Sequence, residues 1–464
     1  MVSAKDWLVL MTNLFKLLTR TLSEKINYLI FALLLIKLII ATSTPLVGDE
    51  TYYWLWGQNL QLSYFDHPAG VGVLTHISQW LTLPNLALNL RWPFALLSSL
   101  TVWIGLKTLE NLHANQKQQQ LFVLHAHLNP LIGIGGILAT PDVPFLFFWA
   151  LSFYFVVKIL QTQKAFYYAA LGACLGLGFC SKYHAALFPI IILISLYITG
   201  KISQIQIRKL VVTILFGLVL TMPVLIWNYQ NDWASFQFQL KHGFDTKGFN
   251  PYWLLTYIVA QILLFNPFLF LNIFKSFKKQ LFPAAATINW SFFCISAIRA
   301  PVEANWPIAS HYLGMIQSEP GKTSTHRNAI RYWIFLWALI FIGLATAFGQ
   351  SKLKSLPQSW SAEEIYQQIQ PQLATNSNLR LFGPTYQMSS LLSYLTKQEI
   401  RKLPGLTRFD FYDDLAKKSS VPQSFLVLKY DTTDWPDWIK EQNRVVELQS
   451  LTEYKMKLYR VSHE

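Results

Sequence analysis

Long apolar runs separated by short polar segments occupy the first 350 positions of the chain. Ten runs are long enough for a helix to cross a bilayer, which takes roughly 20 residues, and an eleventh is shorter. The ten runs lie at 26–45, 91–110, 120–138, 143–161, 165–181, 183–200, 210–227, 252–274, 280–298 and 330–348, and the shorter one at 304–317. This pattern predicts an all-α polytopic membrane protein with about eleven transmembrane helices.

The pattern changes after residue 350. A helix-like stretch at 361–373 is followed by strand-like stretches at 379–383 and 424–430, which predict a small α/β or α+β domain. The chain therefore divides into a cytoplasmic interfacial segment (1–25, with a helix at 6–20), a transmembrane domain (26–349) and a soluble domain (350–464).

Charge supports this division and orients the chain. The first 350 residues carry 23 Lys and Arg against 11 Asp and Glu, whereas the last 114 carry 15 against 13. With the N-terminus inside, 17 cations of the membrane part fall at cytoplasmic ends and five at the opposite ends, as the positive-inside rule requires. The basic character thus indicates loops beside a bilayer and not nucleic-acid binding, and the soluble domain is expected outside.

Residues 68–90 form the segment on which this topology depends, because one more span there would invert everything after it. Pro68, His76, Gln79 and Pro84 suit a helix lying in the interface better than one facing lipid. We therefore expect interfacial helices over about 50–90.

Carboxylates gather at the outward ends of the predicted spans. Asp49 and Glu50 follow the first span, Asp66 stands beside His67, and Asp142 lies in a very short turn between two spans. A carboxylate at a membrane boundary is costly unless it is hydrated or paired, which makes each a functional candidate. For Asp142, capping of the next helix is an equally good explanation.

Carboxylates and a few cations on one face suit a reaction with an anionic leaving group. A polyprenyl-phosphate-linked sugar fits, because cations would stabilise its phosphate and a carboxylate would act as general base on the acceptor hydroxyl. A transporter or flippase of lipid-linked sugars is the alternative, although it would need polar groups near the midplane. A third hypothesis is a membrane scaffold without catalysis.

Five segments resemble the bacterial branch of the dolichyl-phosphate-mannose-protein mannosyltransferase superfamily. They are GDETYYWLWGQNLQLSYFDHPAG, LATPDVPFLFFWALSFY, GLGFCSKYHAALF, PVLIWNYQNDWASFQFQLKHGF and VEANWP, and GPTYQMSSLLSYL resembles the family's extracytoplasmic domain. The resemblance implies a GT-C fold in a bacterial inner membrane, a periplasmic C-terminal domain and a hexosyl- or pentosyltransferase. Its acceptor would be lipid A, another glycan or a protein; aminoarabinose transferases and Rgt-type enzymes are related.

The resemblance also assigns residues. It makes Asp49 the catalytic base or the carboxylate that positions the acceptor, with Asp142 as the second catalytic carboxylate and Glu50 and Tyr53 contacting the donor. Asp66 and His67 fall where the aminoarabinose transferases carry Glu-Lys, so a permanent cation has become a His, which is charged only when its pKa is raised.

Further donor-binding candidates come from the same segments, each with a simpler alternative. Lys182 could contact phosphate or extend its amine to the interface, and Arg299 could bind phosphate or pair with Glu303. The remaining candidates are Tyr183, Lys241, His242 and Asn305. No cofactor is required, although Asp66 and His242 could hold a divalent metal ion, and Lys37 in the first span has no evident partner.

Overall fold

A computed structural model describes residues 26–244, 248–316, 323–349, 361–417 and 421–463. The helix predicted at 6–20 lies outside these residues. The described chain forms two compact units. The first unit comprises Met1–Ala41, Arg91–Leu225 and Leu240–Trp337, and the second comprises Thr42–Leu90, Ile226–Gln239 and Ala338–Glu464. The domain boundaries at 25 and 349 stay predictions.

Helices make up most of the chain up to residue 349. Their bounds are α1 Ile26–Ser43, α2 Gly48–Gln58, α3 Gly70–Ser78, α4 Leu86–Asn111, α5 Gln116–Leu128, α6 Asp142–Thr162, α7 Ala165–Phe179, α8 Phe188–Ile198, α9 Ile207–Gln230, α10 Ala234–Phe244, α11 Pro251–Phe265, α12 Pro267–Ser276, α13 Leu281–Ser296, α14 Ile308–Met315 and α15 Thr323–Gly349.

Four of the described helices, α1, α4, α6 and α9, are long and apolar enough to cross a membrane, and α11 with α12 would make a fifth span. The protein is therefore a multi-pass membrane protein, but the predicted count of eleven spans is not confirmed. Across 68–90 the chain forms the nine-residue helix α3 before α4 begins. At about 14 Å, α3 is too short to cross the hydrocarbon core.

Two apolar runs that were predicted from the sequence to be single spans are interrupted in the structure. The run at 120–138 is helical only to Leu128, because Pro130 follows Asn129 and the Asn129 side chain accepts the amides of Leu131 and Ile132. The run at 252–274 bends by 98° between α11 and α12. Asn266 at the bend has φ 74° and precedes Pro267, which disfavours helical backbone at that residue.

The first unit packs its helices around aromatic and branched side chains and, in places, through small residues. Gly172 and Gly176 lie one turn apart on α7 and face α9. A Cβ at Gly172 would stand 2.2 Å from the carbonyl oxygen of Thr213. Such a stripe of small residues lets two helices approach closely, which is how apolar helices associate when burial gives no advantage over lipid.

The C-terminal region forms the predicted mixture of helices and strands. Its elements are α16 Ala362–Thr375, β1 Arg380–Gly383, α17 Tyr386–Thr396, β2 Arg401–Lys402, α18 Phe411–Ala416, β3 Ser424–Tyr430, α19 Asp437–Gln442, β4 Asn443–Leu451 and β5 Met456–His463. The five strands form one sheet in the order β2-β1-β3-β5-β4, parallel between β2, β1 and β3 and antiparallel elsewhere. The predicted small α/β domain is confirmed.

Candidate functional site

The helix α2, which carries Asp49, packs closely on α17 of the C-terminal region within the second unit. A Cβ at Gly48 would lie 2.4 Å from the Cβ of Gln387, and the hydroxyls of Thr51 and Ser390 are 3.0 Å apart. Only glycine at position 48 allows this approach. The packing places the Asp49 carboxylate beside the side chains of Tyr386 and Gln387.

One oxygen of the Asp49 carboxylate accepts no hydrogen bond from the residues that the structure describes. Its Oδ1 is buried and has no hydrogen-bond partner within the described ranges of the chain. Burial raises the pKa of Asp49, and nearby Asp66 adds to the rise, while the neighbouring polar side chains of Tyr386 and Gln387 and the charge of Arg408 oppose it. A buried carboxylate with a raised pKa and a free oxygen has the properties of a general base.

Asp66 lies in a tight turn that the aromatic residues of α2 support. The amide of Tyr64 donates to the carbonyl of His67 at 3.2 Å, and the ring of Tyr64 stacks on Trp56 at 4.0 Å between centroids. The Tyr64 hydroxyl donates to the carbonyl of Trp56 at 2.9 Å. These contacts fix the direction of the Asp66 side chain.

Both carboxylate oxygens of Asp66 are engaged. Arg408 Nη1 donates to Oδ1 at 2.6 Å, and the hydroxyl of Tyr52 donates to Oδ2 at 2.7 Å. The ring of Tyr386 lies 4.8 Å from Arg408 Cζ, and the same side chain is a neighbour of Asp49. The carboxylates of Asp49 and Asp66 and the guanidinium of Arg408 therefore form one cluster, called here the Asp49–Arg408 cluster, with Tyr52, Tyr386 and Gln387 as its other members.

The segment that carries Arg408 is fixed by a buried lysine. Lys402 Nζ donates to Asp410 at 2.7 Å, to Asp413 at 2.6 Å and to the carbonyl oxygen of Arg408 at 2.7 Å, and its side chain is 0% exposed. The amide of Phe411 donates to the Tyr52 hydroxyl at 2.9 Å. Burial raises the pKa of Asp410 to about 6 against the opposing charge of Lys402.

The other residues predicted near Asp49 occupy varied positions in the same unit. Glu50 is buried, and its Oε2 accepts the amide of Val47 at 2.9 Å, which is a helix-capping contact. Tyr53 is also buried and packs against Trp56, with its ring 6.3 Å from that of His67. The contact of Glu50 favours a structural role, and donor binding by these residues stays a prediction.

Asp142 belongs to a separate cluster in the first unit. Lys182 Nζ donates to its Oδ1 at 2.7 Å and Asn305 Nδ2 to its Oδ2 at 2.7 Å, and all three residues were predicted site residues. The helix α6 begins at Asp142, but no side-chain capping bond is formed. Because both oxygens accept short hydrogen bonds, the geometry suits a positioning role better than proton transfer, and the catalytic role stays a prediction.

The remaining predicted site residues form no comparable hydrogen-bonded cluster among the described residues. Lys241, Arg299 and Glu303 are exposed. Arg299 and Glu303 form no ion pair with each other within the residues that the structure describes, and the predicted loop around Lys241 contains the helix α10. The side chain of His242 lies outside the described residues. Tyr183 begins a short 3-10 turn before α8, with its ring 5.3 Å from that of Phe179.

Lys37 has a partner that the sequence did not reveal. It is buried in α1, and its Nζ donates to the hydroxyl of Ser98 at 2.7 Å, which in turn donates to the carbonyl of Ile132 at 3.1 Å. A hydroxyl can satisfy one of the three N–H groups of a lysine but not its charge. The contact therefore supports the packing of α1 and assigns no function.

A divalent metal ion at Asp66 does not fit the described residues. Arg408 and Tyr52 already occupy both carboxylate oxygens, and a cation there would replace a permanent positive charge. No group of three or more His, Cys, Asp or Glu side chains arranged for a metal occurs in the described part of the chain.

Comparisons with known proteins agree with this architecture. Residues 66–227 match the family model described as dolichyl-phosphate-mannose-protein mannosyltransferase. The chain is similar to the lipid A galacturonosyltransferase RgtD of Rhizobium johnstonii, with 21% identity over 296 residues that cover 59% of this chain and 60% of the relative. A crystal structure of ArnT from Cupriavidus metallidurans bound to undecaprenyl phosphate superposes with a TM-score of 0.63, covering 94% of this chain and 98% of ArnT at 14% identity.

The resemblance to the GT-C superfamily is confirmed. The segment matched by the family model begins at Asp66 and includes Asp142 and Lys182. Asp49 and Arg408 lie outside that segment. The family match therefore covers only part of the Asp49–Arg408 cluster.

Sequence reasoning missed the C-terminal members of this cluster. Arg408 follows Asp66 by 342 positions, and nothing in its neighbourhood marks it as a site residue. Tyr386 and Gln387 carried a signal, since they belong to the segment GPTYQMSSLLSYL.

Proposed function

We propose that this protein is a glycosyltransferase that transfers a sugar from a polyprenyl-phosphate-linked donor to an acceptor on the outer face of the membrane. The observation that carries the proposal is the buried Oδ1 of Asp49, which has no hydrogen-bond partner among the described residues and lies in one cluster with the permanent cation of Arg408. A base and a cation are the two groups that such a transfer needs.

The reaction would be a single displacement. Asp49 Oδ1 accepts the proton of the acceptor hydroxyl while the hydroxyl oxygen bonds to the anomeric carbon of the sugar. The bond between that carbon and the phosphate oxygen breaks, and its electron pair leaves with the polyprenyl phosphate. The anomeric configuration is inverted, and no nucleotide sugar takes part.

The topology belongs to the same proposal. Eleven spans with the N-terminus inside would place Asp49, Asp66 and the C-terminal domain in the periplasm of a bacterial inner membrane. The likeness to a lipid A galacturonosyltransferase supports lipid A as acceptor. Other glycans or proteins are the alternative acceptors, and the sugar would be a hexose, a pentose or a uronic acid.

Mass spectrometry of cell envelopes tests the proposal. Lipid A, other glycans and surface proteins are compared between cells that carry the wild type, no protein or the Asp49→Asn variant. We expect one sugar residue to be present with the wild type and absent both without the protein and with the Asp49→Asn variant. Asp437→Asn is the matched control, because Asp437 is a surface residue with a side chain that is 88% exposed. Identical envelopes from all four strains would refute the proposal.

A further inference from the structure

The guanidinium of Arg408 is held by hydrogen bonds on one side and is exposed to solvent on the other. Nη1 donates to Asp66 at 2.6 Å and to the carbonyl of Phe409 at 3.1 Å, which accounts for both of its hydrogens. Arginine has five N–H donors, so three remain on Nε and Nη2, one of which is available for the contact with Tyr386. Since 42% of the side chain is exposed, the other donors can reach a second anion.

The plane of this guanidinium is fixed by aromatic rings. Its Cζ lies 4.8 Å from the ring centre of Tyr386 and 5.6 Å from that of Phe238. Lys402 holds the backbone of the same residue by donating to its carbonyl oxygen. A guanidinium with a fixed plane and a fixed backbone loses little conformational freedom when it binds an oxyanion.

His67 carries an imidazole and not a permanently charged group. An imidazole is cationic at neutral pH only when its surroundings raise its pKa, whereas a guanidinium is cationic at every pH a cell meets. Arg408 is thus a permanent cation in the same cluster as Asp49, with the ring of Tyr386 4.8 Å from its Cζ.

We propose that Arg408 binds the phosphate of the lipid-linked donor and that Asp66 holds this guanidinium in place until the phosphate arrives. This inference rests on the proposed function. It makes the C-terminal sheet domain, through one residue of the segment between β2 and α18, part of the donor site.

The competing explanation is an ion pair that only ties Asp66 to the C-terminal region. A set of variants separates the two, with binding of undecaprenyl phosphate to the purified full chain as the measurement. Arg408→Gln alone leaves the buried carboxylate of Asp66 without its cation and can lower stability. The informative comparison is therefore Asp66→Asn against the double variant Asp66→Asn/Arg408→Gln, because neither leaves that carboxylate unpaired.

We expect Asp66→Asn to bind undecaprenyl phosphate at least as tightly as the wild type, since its guanidinium loses a competing anion. The double variant should bind at least about tenfold more weakly, as expected for the loss of a charge-assisted pair. Arg401→Gln is the matched control, because Arg401 pairs with Glu399 at the surface of the same domain, and it should bind like the wild type.

Two results would overturn the inference, and they have different meanings. If the wild type binds undecaprenyl phosphate and the double variant binds it equally tightly, Arg408 does not meet the phosphate and only the inference fails. If the wild type itself shows no binding, the lipid-phosphate donor is wrong and the proposed function fails with it.

Discussion

Lys402 offers the sharpest test of how the Arg408 segment is held, because one amine serves three acceptors. Replacing it by methionine removes the bonds to Asp410, Asp413 and the carbonyl of Arg408 while keeping most of the side-chain volume. The side chain of Asp410 is 0% exposed and that of Asp413 is 12% exposed. Two carboxylates would then face each other in a buried site with no cation.

The magnitude follows from the removal of one partner from a buried ion pair, which costs about 3–5 kcal/mol. The loss should appear as easier local opening of the segment from β2 to α18. Since every 1.4 kcal/mol is about a factor of ten, amide hydrogen exchange in residues 408–413 should accelerate on the order of a hundredfold or more. Exchange in the membrane helices should not change.

Hydrogen-exchange mass spectrometry of the purified protein measures this directly. Lys417→Met is the matched control, because Lys417 forms a surface pair with Asp414 at 3.0 Å and its side chain is 66% exposed. Surface pairs contribute about 0–1 kcal/mol, so exchange should change less than about fivefold. Equal exchange rates in the Lys402→Met variant and the wild type would refute the description of this lysine as the anchor of the segment.

Three further predictions follow from close contacts and from burial. Gly48→Val places a side chain 2.4 Å from the helix α17 and should lower the thermal stability and abolish activity, whereas Gly343→Ala, which meets nothing within 4 Å, should leave both unchanged. Since burial raises the pKa of Asp49 and the base must be ionised, activity should fall on acidification at a higher pH than for an ordinary aspartate. A kcat/KM profile whose acidic limb lies at or below pH 4 would contradict this. Asp142→Asn and Lys182→Met should each lower the melting temperature, and their double variant should recover much of the loss; additive losses would contradict the buried pair.

Sequence reasoning succeeded where local pattern determines the structure. The acids after the first apolar run do lie on a helix, and the strand-like stretches at 379–383 and 424–430 are strands. Apolar side chains repeat with the spacing of these elements, so a short window contains the necessary information. A short helix, α3, also lies between Pro68 and Pro84 in the region predicted to hold interfacial helices; its position at the interface stays a prediction.

It failed where backbone breaks occur inside apolar runs. Hydropathy averages over a window and does not register that Asn129 can accept the amides of the two residues after Pro130, or that Asn266 tolerates a positive φ before Pro267. Both positions contain an Asn-Pro dipeptide, which favours a turn. The signal was present but carried less weight than the surrounding apolar residues.

Only half of the candidate site was predicted from the sequence, and the cause is not the one that hid the backbone breaks. Asp49 and Asp66 are close in sequence and follow the same apolar run, so their chemistry could be recognised together. Arg408 meets Asp66 only because the C-terminal region packs on α2 through Gly48, Thr51 and Ser390. A contact across 342 positions leaves no trace in local composition.

The central claim is that Asp49 takes a proton from the acceptor while a lipid phosphate leaves. The most direct measurement is release of undecaprenyl phosphate from undecaprenyl-phosphate sugars by purified protein supplied with lipid A. We predict release with the wild type and with Asp437→Asn, and a loss of at least about a hundredfold with Asp49→Asn, as expected when a general base is removed. Release by the Asp49→Asn variant at the wild-type rate would contradict the account.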